Sequence, residues 1–218
     1  MSQSPPSTLA PLYASLAARV REVDELRWLS SRYATPAGRE ALITLYAYYY
    51  ELARVRLVAS DQTLGQIRFQ WWRETLESIA ADAPREHDVT RALAEQIQLG
   101  ALQLDALQRL IEQSEMAFLA ADRSLEPEPL LTRIAAHTLS TEAELDAEFE
   151  VLVTEWAALR RGDFTVSKSP PARLHTQQAP ALAHLRVRRL WHRTGTAHQS
   201  QPVRQRLCIL RAVQSGWV

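Results

Sequence analysis

The residues best suited to chemistry lie in two neighbouring stretches, YAYYYELARVRL at 46–57 and GQIRFQWWR at 65–73. On a helix, positions 46, 50, 53 and 57 stack one above another, because steps of three and four residues return to the same face. Tyr46, Tyr50, Ala53 and Leu57 therefore make a phenolic and apolar stripe, with Arg54 beside it and Glu51 projecting on roughly the opposite side. Such a stripe can wall a pocket for an apolar ligand but offers no carboxylate to a metal ion. Arg68 and Arg73 could meet a phosphate, although pairing with Glu51, Glu74 or Glu77 is the more ordinary use of an arginine so placed. Trp71 and Trp72 read as core, with a substrate-wall role open to one of them.

Other candidates are weaker. Glu142, Asp146 and Glu150 form an i, i+4, i+8 stripe that could bind a divalent cation, but a solvated helix face is the commoner meaning of that pattern. His184, His192 and His198 lack the tight spacing of zinc ligands and read as surface residues. Cys208 lies in an apolar helical pattern and reads as a buried thiol. As the single cysteine it excludes an internal disulfide framework, which fits a reducing cytoplasm or a bacterial interior. Neither a Ser-His-Asp arrangement nor a Gly-rich phosphate loop is apparent.

The elements that would carry these residues are helical. The chain is rich in Leu, Ala, Arg and Glu, has only six glycines, and shows no alternating strand pattern. Leu9, Leu12, Tyr13, Leu16 and Val20 predict a first amphipathic helix, and Asp24 to Arg32 a short second one. Thr35-Pro36 sets a cap followed by proline at the first helical position, so a strong helix starts there, with Leu42, Leu45, Tyr46, Tyr49 and Ala53 inward. Ser60 or Asp61 caps the next, whose apolar face is expected at Leu64, Ile67, Trp71 and Ile79. Further helices are expected around Val89–Ile97, Leu107–Phe118 and Leu130–Ile134. A capping box at Thr141–Glu144 should open another through Trp156. The stretch 162–180 is the one long irregular segment, a hinge or mobile loop, before closing helices at Leu182–Trp191 and Pro202–Val213. The expectation is an all-α, single-domain helical bundle over residues 1–218.

The net charge of zero divides unevenly. Residues 1–159 hold 14 basic and 24 acidic side chains, a net of −10, whereas residues 160–218 hold 11 basic and one acidic, a net of +10. The basic end, taken as 181–218, can meet an anionic membrane surface, or it can pack against the acidic front of the same chain, which is the plainer expectation. Aromatics are too sparse there for base stacking, so no nucleic-acid partner is expected. The N-terminal residues carry no signal-like charge pattern, and no apolar run is long enough to span a bilayer. The expected setting is the cytoplasm, including the periphery of the inner face of a membrane.

The run LYAYYYELARVRLVASDQTLGQIRFQWWRETLESI resembles the squalene/phytoene synthase family, which joins two prenyl diphosphates head to head. Tyr46-Ala47-Tyr48 and the Gly-x-Ile-Arg-x-Gln-Trp-Trp-Arg run at Gly65 to Arg73 carry the likeness, supported by RYATPAGREALITLYA and EHDVTRALAEQI. ELARVR is closest to a divergent branch that includes a phytoene-synthase-like mitochondrial complex I assembly factor. The resemblance covers about residues 25–120. It implies the isoprenoid-synthase type of all-α fold, shortened here in its C-terminal half.

The resemblance also implies Mg²⁺ held by two facing aspartate-rich segments, with acids seven, eight and eleven residues beyond the tyrosine of the first motif. Those positions are Ala53, Arg54 and Leu57, none of them acidic. The second segment has no counterpart in its usual form; Asp146 and Glu150 are the nearest substitutes. The expectation is therefore a family member without catalysis and without a cofactor. It would bind an isoprenoid or lipid through Tyr46, Tyr50, Ala53, Arg54, Leu57, Arg68, Trp71, Trp72 and Arg73, or serve as an assembly or scaffold factor. The alternative is a Mg²⁺-dependent head-to-head prenyltransferase using other ligands.

Overall fold

The computed structural model describes residues 9–141, 145–197 and 202–218. Within them the chain is helical, and the sole β-type pairing is an isolated bridge between Arg173 and Trp217. The all-α fold is therefore as expected. The helices are α1 (Ala10–Val23), α2 (Glu25–Ser31), α3 (Pro36–Val58), α4 (Gln62–Ala80), α5 (Asp88–Gln98) and α6 (Leu104–Leu119). They are followed by α7 (Glu128–Leu139), α8 (Ala147–Arg160), α9 (Ala179–Leu182), α10 (Arg188–Thr194) and α11 (Pro202–Ser215). None of the described helices is long and apolar enough to cross a membrane.

Local side-chain capping explains four of the starts, those of α2, α3, α4 and α8. Asp24 accepts a hydrogen bond from the Arg27 amide at 3.0 Å, and Thr35 accepts one from the Gly38 amide at 3.2 Å with Pro36 behind it. Asp61, rather than Ser60, caps α4 through the Leu64 amide at 2.9 Å. The capping box foreseen at Thr141–Glu144 falls on residues 142–144, outside the described residues. The cap of α8 is Asp146, which accepts from the Phe149 amide at 3.1 Å.

α3 is the central element, packed against α1, α5 and α7. It is buried on most of its circumference, taking in Ile43, Thr44, Ala47, Tyr48, Leu52 and Val55 as well as the expected face. α4 departs from expectation. Leu64 and Ile67 are exposed, and the buried stripe is Gly65, Phe69, Trp72, Leu76 and Ile79. Counting apolar side chains missed this face because it pivots on a glycine. The Phe118 ring of α6 occupies the space over Gly65, and a β-carbon there would stand 2.1 Å from that ring. Gly65→Ala should lose about 1–2 kcal/mol net, overpacking outweighing the gain in helix propensity. Phe118→Leu beside it should recover most of the loss in urea unfolding.

The C-terminal half is bound into the same packing. The path from 179 to 194 is a tightened one, α9, then a 3₁₀ turn at Ala183–Val187, then α10, rather than one helix at 182–191. Ala181, Leu182, Ala183, Leu185 and Val187 are all buried, since this segment passes between α2, α7, α8 and α11. The irregular stretch before it is not loose. The Ala172 and Val218 amides exchange hydrogen bonds with each other's carbonyls at 3.2 and 3.0 Å, and the Leu174 amide donates to Gly216 at 2.7 Å.

Candidate functional site

The stripe of α3 runs outward from core to solvent. Tyr46 is fully buried, Tyr50 and Ala53 are half-buried, and Leu57 is 79% exposed. Tyr50, Ala53, Arg54 and Leu57 line a groove of about 630 Å³ between α1, α3 and the segment leading into α7, lined also by Arg160 at the end of α8 and by Arg161 just after it. Tyr46 lies beneath it.

Acids also line this groove. Glu51, expected on the far side of α3, borders it and pairs with Arg19 of α1. Glu126 pairs with Arg56 and, at 3.1 Å, with Arg123 Nε. Glu128 pairs with Arg27, whose guanidinium is completely buried. Arg54 and Arg161 make no ion pair among the described residues.

Under the groove floor the charges join into one network. Arg27 Nη1 lies 3.3 Å from Asp24 Oδ2 and 3.1 Å from the Tyr50 hydroxyl, which itself donates to Asp24. Arg160 Nη1 is 2.7 Å from Asp24 Oδ2 and 3.8 Å from Glu128 Oε1, while the Tyr49 hydroxyl donates to Glu128 at 3.1 Å. Trp156 lies beneath both cations, its ring centroid 4.7 Å from the Arg27 guanidinium and 5.1 Å from that of Arg160. Burial alone would raise the Asp24 and Glu128 carboxyls; Arg160 and Arg27 more than offset it and hold both below the usual carboxylate range. Burial, with Asp24 adding to it, pushes the Tyr50 hydroxyl up, so it stays a neutral donor.

His184 corrects the sequence reading. It is buried, edge-on to Trp156 at 5.0 Å, and burial together with Arg27 drives its ring well below the ordinary histidine range. The folded state thus keeps it neutral, while an unfolded chain protonates it below about pH 6.5. The unfolded state then binds the extra proton, so stability should fall by up to about 1.4 kcal/mol per pH unit below that point. His184→Phe should flatten this limb between pH 5 and 6.5 in urea titrations. A variant with the same slope as the parent would show that His184 does not cause it.

Arg73 pairs with Glu115 of α6, not with the acids nearest in sequence. Trp72 is buried against Tyr48 at 5.2 Å, and Trp71 is half-buried beneath Arg85. Arg54, Arg68, Trp71 and Trp72 line a second groove of about 430 Å³ between α3 and α4, adjoining the first at Glu51 and Arg54. Asp146 is spent on its helix cap and Glu150 pairs with Arg133, so the two are not converged on one point. No group of three or more His, Cys, Asp or Glu side chains is arranged to hold a metal ion among the described residues. His192 lies 2.7 Å from Glu155, and His198 is outside the described residues. Cys208 is half-buried rather than core. The basic end packs on the acidic front in part, through Arg206 to Glu25 and Arg188 to Glu155.

Sequence comparison places this geometry in a lineage. Residues 20–147, more than half the chain and including the whole of α2 through α7, match the family model for squalene/phytoene synthase. The chain belongs to the squalene/phytoene synthase family. Among curated proteins it is similar to NADH dehydrogenase (ubiquinone) complex I, assembly factor 6, of Homo sapiens, at 28% identity over 96 residues. The Bos taurus protein of the same name is 27% identical over 96 residues. In both cases the match covers 44% of this chain and 29% of the relative, so the chain spans under a third of those proteins. No solved structure matches. The shared family region contains α3 and most of its groove lining, whereas Arg19 precedes it and Ala157, Arg160 and Arg161 lie beyond it, as do α9 to α11 and α8 after its first residue.

Proposed function

We propose that this chain is a non-catalytic squalene/phytoene synthase-like protein whose α3 groove holds an amphipathic anion, an isoprenoid or lipid, without a metal ion. The carrying observation is that the stripe where the family places metal ligands is here Ala53, Arg54 and Leu57, beside carboxylates already joined to arginines. Mg²⁺ needs several oxygen ligands in near-octahedral array. With Glu51, Glu126 and Glu128 each paired to a guanidinium, Glu22 is the one groove acid outside an ion pair among the described residues, and a single carboxylate does not fit a Mg²⁺–diphosphate cluster.

They fit an anion directly. Arg54 and Arg161 can take phosphate oxygens, and Leu57, Val58 and Ile67 continue outward as exposed apolar surface suited to a hydrocarbon chain. The similarity to a complex I assembly factor supports an assembly or scaffold role, which requires no turnover. A setting at a membrane periphery agrees with a lipid-like ligand.

The test is incubation with farnesyl and geranylgeranyl diphosphate plus Mg²⁺, followed by lipid extraction. No squalene- or phytoene-type product is expected. A product that disappears on Asp146→Ala would reinstate the prenyltransferase reading. Arg54→Gln should weaken farnesyl diphosphate binding about tenfold, by the loss of one charge-assisted bond.

A further inference from the structure

A third groove, remote from α3 in the chain, gathers positive charge without an acid. It lies between the 3₁₀ turn–α10 segment and α11 and is lined by Lys168, Arg186, Arg189, Arg193, Cys208 and Arg211, with a volume of about 390 Å³. An adjoining depression of about 500 Å³ shares Arg193, Cys208 and Arg211 and adds Arg204 and Leu207. The convergence follows from helical spacing. Arg186, Arg189 and Arg193 stand at i, i+3 and i+7 on one segment, and Arg204, Cys208 and Arg211 at i, i+4 and i+7 on the other.

Like charges so close repel one another, and proteins ordinarily relieve this with carboxylates. None pairs with Lys168, Arg186, Arg189, Arg193 or Arg211 among the described residues. Glu155, the nearest acid along α8, is spent on Arg188 and His192 on the buried side of α10. Two further observations point the same way. Arg189 Nε is buried without a hydrogen-bond partner. Arg186 is anchored by donating to the Trp217 carbonyl at 2.6 Å and to Ser215 Oγ at 3.3 Å, which fixes its guanidinium at the groove edge. Burial, and to a smaller degree the neighbouring Arg189 and Arg211, also hold Arg186 below its ordinary range.

We infer that this groove is a binding site for a phosphate-bearing anion of at least two negative charges, taken by guanidinium forks without a metal. Guanidinium groups match phosphate oxygens bidentately, so several arginines on facing segments favour phosphate over a single carboxylate. The free phosphate group and a lipid headgroup share this chemistry. The site is independent of the α3 groove, and either assignment can fail alone.

Cys208, the chain's single cysteine, lines the site and reports on it. The test measures the rate of Cys208 alkylation by uncharged iodoacetamide, with inorganic pyrophosphate, with phosphatidylcholine vesicles, and with the same vesicles containing phosphatidic acid, whose phosphomonoester can carry two negative charges. Saturable protection is expected. It should weaken about tenfold for each of Arg189→Gln, Arg193→Gln and Arg211→Gln, and stay unchanged in Arg54→Gln, which removes a cation of the α3 groove. Arg193 and Arg211 are exposed, so their variants keep the test open even if Arg189→Gln folds poorly. Protection by pyrophosphate assigns a soluble phosphate, and protection by the anionic vesicles alone assigns a headgroup. Absence of protection in every arm, or protection indifferent to all three variants, overturns the site.

Discussion

Replacing Arg27 with methionine is expected to destabilise the protein by about 3–5 kcal/mol, read as a shift in the urea midpoint followed by circular dichroism. The guanidinium has no exposed surface and contacts Asp24, Tyr50 and Glu128 at once, above the face of Trp156. Methionine fills similar volume, so the loss comes from carboxylates left in a dry interior rather than from a cavity. Asp24→Asn and Glu128→Gln added to Arg27→Met should return part of the stability, because neutral amides need no counter-charge. If Arg27→Met loses under 1 kcal/mol, the network is not what holds α2, α3, α7 and α8 together. The wild-type pH dependence has a definite sign as well. Asp24 and Glu128 titrate below their unfolded values, so their contribution is present above about pH 4 and disappears as pH falls through the lower folded values.

The second large effect is expected at Glu155. Its carboxylate accepts from Arg188 Nε at 3.0 Å and from the Ser169 amide at 3.0 Å, and lies 2.7 Å from His192 Nε2. Arg188 is buried too and donates onward to the Pro170 carbonyl at 3.0 Å. Glu155 thus ties α8 to α10 and pins the irregular stretch between them. Glu155→Leu strands a buried guanidinium and unpins residues 169–170, for a loss of about 3–5 kcal/mol. Limited proteolysis should then cut first in the 163–173 stretch, while the parent resists there. A variant cleaved first elsewhere would separate the pair from the loop. Glu155→Leu combined with Arg188→Met, which removes both charges, should be more stable than Glu155→Leu alone.

The helices were readable because capping and periodicity are local. Thr35-Pro36, Asp24 and the apolar repeat of α1 each act within a few residues. The α4 face was not readable, since Gly65 contributes burial without a side chain and its partner, Phe118, is 53 positions away. The network was invisible for the same reason. Asp24, Arg27, Glu128 and Arg160 come from three separate regions, and nothing in their spacing announces a shared site. His184 read as surface because a lone histidine carries no burial signal; only the segment's passage between helices buries it. The α3 stripe was better served. Its helical register put Tyr46, Tyr50, Ala53 and Leu57 on one stripe with Arg54 beside it; Tyr50, Ala53, Arg54 and Leu57 line one groove, while Tyr46 is buried and lines none of it. What the register missed was Glu51 on the same groove, brought there by its pairing with Arg19 across α1.

The central proposal, an anion-holding groove that works without metal, is tested most directly by titrating farnesyl diphosphate into the protein twice, once with EDTA and once with excess Mg²⁺. Saturable binding of similar affinity in both is predicted, weakened about tenfold by Arg54→Gln in each. Binding seen only with Mg²⁺, or unaffected by Arg54→Gln, would contradict the account.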